Sequence, residues 1–333
     1  MARPDDGLIK RCAQNVLKIS DHYAEKGPLR RSIWQNEAWV EAYLSYFLPL
    51  NWLRLLSIVD IGAEDDFFSQ FDAVIDFGSG PGTFHLAASE RNLAFKRWTF
   101  IETASNAVRA HKDLNQKLGL DSTKLTWHES ITSTQAEALC RQDNTLAVFS
   151  YALNELETLP DWAFSADGLL ILEPSTRELG RGLQSLRAKL IEKGWSIWAP
   201  CTHAEACPLL VHSEKDWCHS RIHIKQPDFV AAIENYLPMR NDTVTYSYLL
   251  ASRSAKNKKI ETPQAARVIG DTLFERGKIR QSICRGPHRE FLSWLTRYGE
   301  PELIARGSRI EIPATAEIKG QEIRMTPKTD AKK

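Results

Sequence analysis

Four cysteines in the second half of the chain, Cys201, Cys207, Cys218 and Cys284, are the residues whose type best suits them to chemistry. The first three lie in APCTHAEACPLLVHSEKDWCHS, a stretch dense in Cys, His and Pro. Thiolates select zinc, copper or iron–sulfur clusters among biological metals. A structural zinc site brings its ligands in close pairs, about two to four residues apart, and this chain has no such pair. Irregular spacing with one distant fourth thiol suits a [4Fe–4S] cluster, which needs four thiolates around a cube. Spacing alone leaves a zinc site and unligated thiols open as alternatives. His203, His212 and His219 are further candidate ligands or outer donors, and Pro200 and Pro208 flank the first two cysteines.

A second constellation precedes it. In Asp76-Phe77-Gly78-Ser79-Gly80-Pro81-Gly82-Thr83 three glycines alternate directly after a predicted strand. Glycine suits a backbone that turns with positive φ and approaches a ligand with no Cβ in the way. Dinucleotide enzymes use such a loop too. The acid Asp76 ends the first strand, where a nicotinamide or flavin site is usually apolar. Glu102 ends the second strand, where a carboxylate can accept both hydroxyls of an adenosine ribose. The distance from Gly82 to Glu102 matches one βαβ step. These residues favour S-adenosylmethionine over a nicotinamide, a flavin or an empty loop. Asn154 and Glu155 end the fourth predicted strand, where side chains point into the ligand crevice; Asn154 as a helix cap is the alternative. No Asn/Asp-Pro-Pro-aromatic motif and no attacking cysteine stands there, so no catalytic residue is assigned.

These residues need a scaffold. From Gly7 to about Ile61 apolar residues recur at helical spacing, which predicts a helical cap over 1–65 that serves packing. Short apolar strands (AVIDF, Trp98 to Glu102, KLTWHE, Thr145 to Leu153, GLLILEP, WSIWAP) alternate with helices over Thr83 to Asn92, Ala104 to Leu118 and Leu179 to Lys193. That order predicts a doubly wound, mostly parallel α/β sheet over 66–200. RIHIKQP, TVTYSYLLAS, ARVIGDTLFERGKIRQSIC and SRIEIP alternate with period two and predict a separate antiparallel β subdomain over 201–315. Residues 316–333 are polar and read as a disordered tail.

Composition is that of a globular protein, with 43% apolar and 26% charged residues and a net charge of +1. The charge is uneven: Arg253 to Lys333 holds 18 Lys and Arg against 10 Asp and Glu, and Met1 to Ser252 holds 25 against 32. A basic final quarter is either a phosphate-binding surface or a solvated face. Arg276, Lys278, Arg280, Arg285, Arg289 and Arg297 surround Cys284 and are its candidate phosphate contacts. No uninterrupted apolar run approaches the roughly 18 residues of a membrane span, and MARPDDGLIK carries neither a secretory nor a transit signal. The expectation is therefore a cytoplasmic, monomeric protein without a membrane partner, in which Cys12 and Cys140 are ordinary thiols.

The chain resembles the methyltransferase-like assembly factors of the mitochondrial small ribosomal subunit, a family with bacterial members. The matching stretches are AYLSYFLPLNW, DFGSGPGT, FIE, YALNEL, LILEPSTRELG, the APC…H…CPL…DWCH block and GKIRQSIC. They cover roughly residues 30 to 290. The family's APCPH form stands here as APCTH, with Thr202 for proline and both neighbouring cysteines kept. The resemblance implies a Rossmann-like class I methyltransferase sheet whose β subdomain is stapled by a [4Fe–4S] cluster on Cys201, Cys207, Cys218 and Cys284. It implies S-adenosylmethionine bound by Asp76, Gly78, Ser79, Gly80, Gly82, Glu102 and Asn154. The implied partners are small-subunit rRNA and the assembling small subunit, here of bacterial type. An active S-adenosylmethionine-dependent RNA methyltransferase, a zinc-stapled RNA binder, and a small-molecule methyltransferase or redox protein are the competing functions.

Overall fold

In the computed structural model, which describes residues 6–24, 32–156, 158–254 and 262–325, the chain begins as helix and turns to alternating strand and helix after Phe71. Helix α1 (Asp6–Ala24) buries Ala13, Val16 and Ile19, one stripe three residues apart. Helix α2 (Glu37–Ala42) is capped by Asn36, whose Oδ1 accepts from the N–H groups of Ala38 (3.0 Å) and Trp39 (3.3 Å). A π turn over Tyr43–Phe47 joins it to α3 (Leu48–Glu64). Such turns rotate the helix face and concentrate at functional sites. Pro28 and the tail beyond residue 325 lie outside the described residues.

The run Glu37–Glu64 spans 28 residues and is long and apolar enough to cross a membrane by length and composition. No such segment is expected from the sequence, because Glu41, Asn51, Arg54 and Asp60 interrupt the apolar run. In the fold α3 is a core helix: Leu55, Ile58 and Val59 pack with Phe84 of α4 (Thr83–Glu90) and the strand residues Val74, Leu146 and Tyr246.

The main sheet alternates β1 (Ala73–Phe77), β2 (Arg97–Ile101), α5 (Ser105–Leu118), β3 (Leu125–His128), α6 (Ser133–Cys140), β4 (Thr145–Ser150), β5 (Gly168–Glu173), α7 (Arg177–Glu192) and β6 (Ser196–Ala199). After α8 (Pro208–His212) come β7 (Ser220–His223), α9 (Asp228–Glu234) and β8 (Thr243–Ser252). The strand order is β3-β2-β1-β4-β5-β8-β6, with β7 also paired to β8. Strands β1 to β5 pair in parallel, and β8 runs antiparallel between β5 and β6. The expected separate β subdomain is thus corrected: RIHI and TVTYSYLLAS complete the main sheet. The run from Tyr246 to Ser252 is buried at every position. Tyr246, Tyr248 and Leu250 face one core and Leu249 and Ala251 the other, so a strand covered on both faces looked like a half-exposed one.

The remaining strands, β9 (Ala265–Glu275), β10 (Lys278–Arg285), β11 (His288–Leu295), β12 (Arg309–Glu311), β13 (Glu317–Lys319) and β14 (Glu322–Met325), form a second sheet. Its core gathers Val268, Ile279, Ile283, Leu292, Trp294, Ile310, Ile323 and Met325. Strands β13 and β14 stand where a disordered tail was expected. Ile323 and Met325 alternate with Glu322 and Arg324, and β14 pairs with β11, so polar composition concealed a period-two strand. Ile323 is fully buried, so Ile323→Asp buries an unpaired charge. It should lower the urea midpoint by the equivalent of about 3 kcal/mol or more; an unchanged midpoint would remove β14 from the core.

Candidate functional site

Two groups of polar side chains lie at loops of the main sheet. The first is the crevice beyond β1 and β2. Gly78, Gly80 and Gly82 have φ of +63°, +52° and +76°. A Cβ on Gly78 would lie 2.7 Å from the Cβ of Ala152, and one on Gly82 would lie 2.1 Å from Nε2 of His111. Glu102 accepts from the Gly80 N–H at 2.9 Å and from the Ala104 N–H at 2.8 Å, which draws the glycine loop against the end of β2. Asp76 is buried, and burial, then the nearby Glu102, holds its carboxyl well above the usual range. Its Oδ1 and the hydroxyl of Ser79 are buried with no hydrogen-bond partner among the described residues. The structure therefore brings Asp76, Gly78, Ser79, Gly80, Gly82 and Glu102 together. Asn154 stands apart from them: it lies on a single 3₁₀ turn (Leu153–Glu155) with its side chain exposed, and its backbone N–H donates to Oε1 of Glu173 at 3.3 Å.

The cap, expected chiefly to pack, supplies side chains here. Trp34 lies over the loop, with Cζ2 at 3.5 Å from where a Gly80 Cβ would stand. Its carbonyl accepts from Nδ2 of Asn106 at 2.7 Å, tying the cap to α5. Tyr43 lies 4.8 Å from Trp34, ring centre to ring centre. Burial, opposed by a hydrogen bond from Asn51 and reinforced by Tyr151 and Glu102, pushes its phenol up to about 12. Tyr151, just past β4, has φ of +59°, a strained value for a non-glycine residue. Glu173, the last residue of β5, is also buried. Burial, against the N–H groups of Asn154 and Leu153, pushes its carboxyl up to about 8, and its Oε2 has no partner among the described residues. A signal for Glu173 was present in the sequence: GLLILE ends on an acid, as do AVID and FIE.

The second group surrounds a cavity of about 40 Å³ lined by Cys201, Cys207, Cys218 and Cys284, several times the ~10–15 Å³ that one water needs. Cys201 follows β6, Cys207 caps α8, Cys218 precedes β7 and Cys284 lies on β10. Three of the sulfurs lie within hydrogen-bonding distance of a side-chain nitrogen. Nε of Arg187 lies 3.1 Å from Cys201, Nε2 of Gln184 lies 3.2 Å from Cys207, and Nε2 of His203 lies 3.2 Å from Cys284. Cys218 and Arg267 both line the cavity. Burial pushes the Cys201 thiol up against the pull of Arg187, and burial with the three other sulfurs pushes Cys284 up. His203 and His219 are lowered to about 4, chiefly by burial and then by nearby arginines, so both are neutral near pH 7. His212 lies elsewhere, in a neighbouring groove with Arg285, His288 and Arg289. No group of three or more His, Cys, Asp or Glu side chains among the described residues is arranged to hold a single metal ion.

A family model described as mitochondrial small ribosomal subunit Rsm22 matches residues 13–302. The chain belongs to the Rsm22 family. No curated protein matches it. Among solved structures it is similar to TrmK of M. capricolum bound to S-adenosyl-homocysteine, at 11% identity, over 55% of this chain and 62% of that one, with a TM-score of 0.32. A precorrin-6y C5,15-methyltransferase of Geobacter metallireducens overlaps 54% of this chain and 80% of its own at 12% identity and a TM-score of 0.34. The methyltransferase domain of a bacterial CtHen1-C overlaps 61% and 98% at 14% identity, also with a TM-score of 0.34.

In this Rsm22-family chain most of the basic residues around Cys284 are engaged. Lys278 pairs with Glu322 (2.5 Å), Arg280 with Glu275, Arg285 with Glu290 (2.7 Å) and Arg289 with Asp216 (2.6 Å). Arg297 lies over the ring of Tyr298 at 4.7 Å, and both are exposed. The candidate phosphate contacts thus narrow to Arg276 and Arg297.

Two tests follow from this geometry. Gly82→Ala forces a side chain into the left-handed region and into His111, and should cost at least about 1 kcal/mol as well as weaken any ligand of the loop, measured by thermal melting and titration calorimetry. Glu173 binds its proton more tightly folded than unfolded, since its carboxyl stands at about 8 instead of 4.5. It therefore stabilises the fold at low pH, and that contribution is lost as pH rises from about 4.5 through 8. Urea unfolding of Glu173→Gln at both ends of this window should show a smaller loss than wild type; equal losses would place the titration elsewhere.

Proposed function

We propose that this protein is a methyltransferase-like assembly factor of the small ribosomal subunit that binds S-adenosylmethionine and rRNA and carries a [4Fe–4S] cluster. The observation that carries the reading is the convergence of four cysteines, from four separate segments, on one cavity, with a side-chain nitrogen 3.1–3.2 Å from three of the sulfurs. Cys201, Cys207, Cys218 and Cys284 would hold the cluster, which supplies a covalent cross-link between the two sheets and a one-electron redox centre. Arg187 and Gln184, which donate N–H groups to the sulfurs of Cys201 and Cys207, are outer partners of the kind that hold such ligands in place. Family membership supports the ribosomal partner, and its bacterial, cytoplasmic setting stays part of the proposal.

S-adenosylmethionine suits the crevice because two buried polar atoms there, Oδ1 of Asp76 and the Ser79 hydroxyl, lack partners. Its ammonium and sulfonium charges would meet the acids, its ribose hydroxyls Glu102, and Trp34 offers a ring over the loop. Methyl transfer to RNA is the second reading, favoured by the unpartnered oxygen of Glu173 at the carboxyl end of β5.

Purification without oxygen, with iron, sulfide and zinc measured per chain, tests the first part. About four irons and four sulfides are expected for a cube on four thiolates. About one zinc would make the centre a tetrathiolate zinc site, and no metal in wild type would overturn the ligand assignment. RNA affinity should fall as salt rises; affinity that ignores salt would exclude a phosphate-borne interface.

A further inference from the structure

Among the described residues only two lysine or arginine side chains are buried, Arg187 at 3% exposure and Arg267 at 2%. Both line the thiol cavity. Arg187 donates Nε to the sulfur of Cys201 and its two terminal nitrogens to the carbonyls of Glu205 (2.9 Å) and His203 (2.5 Å). Arg267 donates to the carbonyls of Gly307 (2.9 Å) and Pro200 (3.4 Å) and to the Ser220 hydroxyl (2.9 Å), and its Nε is buried. Neither forms an ion pair with a carboxylate among the described residues, whereas Arg306 nearby reaches Asp271 at 3.7 Å.

A guanidinium keeps its charge at any physiological pH, and buried charges are found paired or beside metal centres. Carbonyls and a hydroxyl satisfy hydrogen bonds and supply no counter-charge. Four protonated thiols supply none either. Four thiolates around a core of charge two plus, whether a cluster or a zinc ion, carry two net negative charges, which equals what two arginines bring. We infer that Arg187 and Arg267 are the counter-charges of a doubly negative tetrathiolate centre, so that the cavity is electrically balanced only when loaded. The inference rests on reading the four cysteines as metal ligands.

The same two charges then act with opposite sign in the two states. In the loaded protein they hold the centre. In the metal-free protein they are buried cations without counter-charges, and an apolar replacement relieves that cost. A merely structural role, in which Arg187 ties down the loop through the carbonyls of His203 and Glu205, predicts that its loss weakens both states alike.

The test uses the whole chain, isolated without oxygen, with metal per chain and the half-time of metal loss to a chelator measured for wild type, Arg187→Met, Arg267→Met and Arg187→Lys. The Met variants should lose metal about 10–100-fold faster, while their metal-free forms melt higher than metal-free wild type. Arg187→Lys, which keeps the charge and gives up the planar fork, should retain metal nearly as wild type does, and it decides the matter if the Met variants do not fold. Met variants that keep their metal, metal-free Met forms that melt lower, or a Lys variant as leaky as Met would each overturn the inference. A wild type that holds neither iron nor zinc overturns the ligand reading itself, and is recognised before any variant is compared.

Discussion

Two guanidinium groups buried without carboxylates organise the second half of this chain. A charge withdrawn from water is tolerated only where every segment around it offers a lone pair. Arg267, on β9 of the second sheet, draws in the carbonyl of Pro200 at the end of the main sheet, the hydroxyl of Ser220 on β7 and the carbonyl of Gly307 ahead of β12. Gly307 permits that approach, since a Cβ there would lie 2.8 Å from the Ser220 hydroxyl. Arg187, on α7, binds the loop from Cys201 to Glu205. The cysteine-bearing segments are arranged around these two side chains, and the two sheets meet at the same point.

The thiol cavity and the glycine crevice are neighbours through a single strand pair. Glu173, at the end of β5, stands opposite Ser247 of β8. Ser247 lines the thiol cavity, and its hydroxyl donates to the carbonyl of Cys218 at 3.1 Å. Glu173 in turn accepts from the backbone N–H of Asn154, just past β4. Insertion of the reversed strand β8 between β5 and β6 creates this adjacency, because it places the buried hydroxyl of Ser247 next to the carboxyl end of β5, and ligands bind at the carboxyl ends of the strands in such sheets. The cap closes the other side with Trp34 and Tyr43, so the crevice is built from two regions far apart in sequence.

Much of this was legible in the residues. AVIDF followed by three alternating glycines specifies a strand, a left-handed turn and a helix start through local sterics, and the structure has all three. The alternation of strand and helix from Phe71 to Ala199 follows from side-chain period, which is likewise local. Where the reading went astray, the missing information was what lies across the chain. Strand β8 reads as half-exposed until helices cover both its faces. Strand β14 reads as a tail until β11 supplies its partner. Lys278, Arg280, Arg285 and Arg289 read either as a phosphate-binding surface or as a solvated face, and the structure pairs them with acids, two of which, Asp216 and Glu322, come from distant segments.

By itself the sequence determined the alternation of strand and helix up to Ala199, the glycine turn, the acids that end the strands and the identity of the four thiols, since propensity, periodicity and side-chain chemistry are properties of residues and their near neighbours. Tertiary structure alone decided that these four thiols face one cavity, that Arg187 and Arg267 stand buried beside them, and that Trp34 and Tyr43 reach the glycine loop. Burial, pairing and charge compensation depend on which distant segments meet, and that is settled only when the sheets close on their cores.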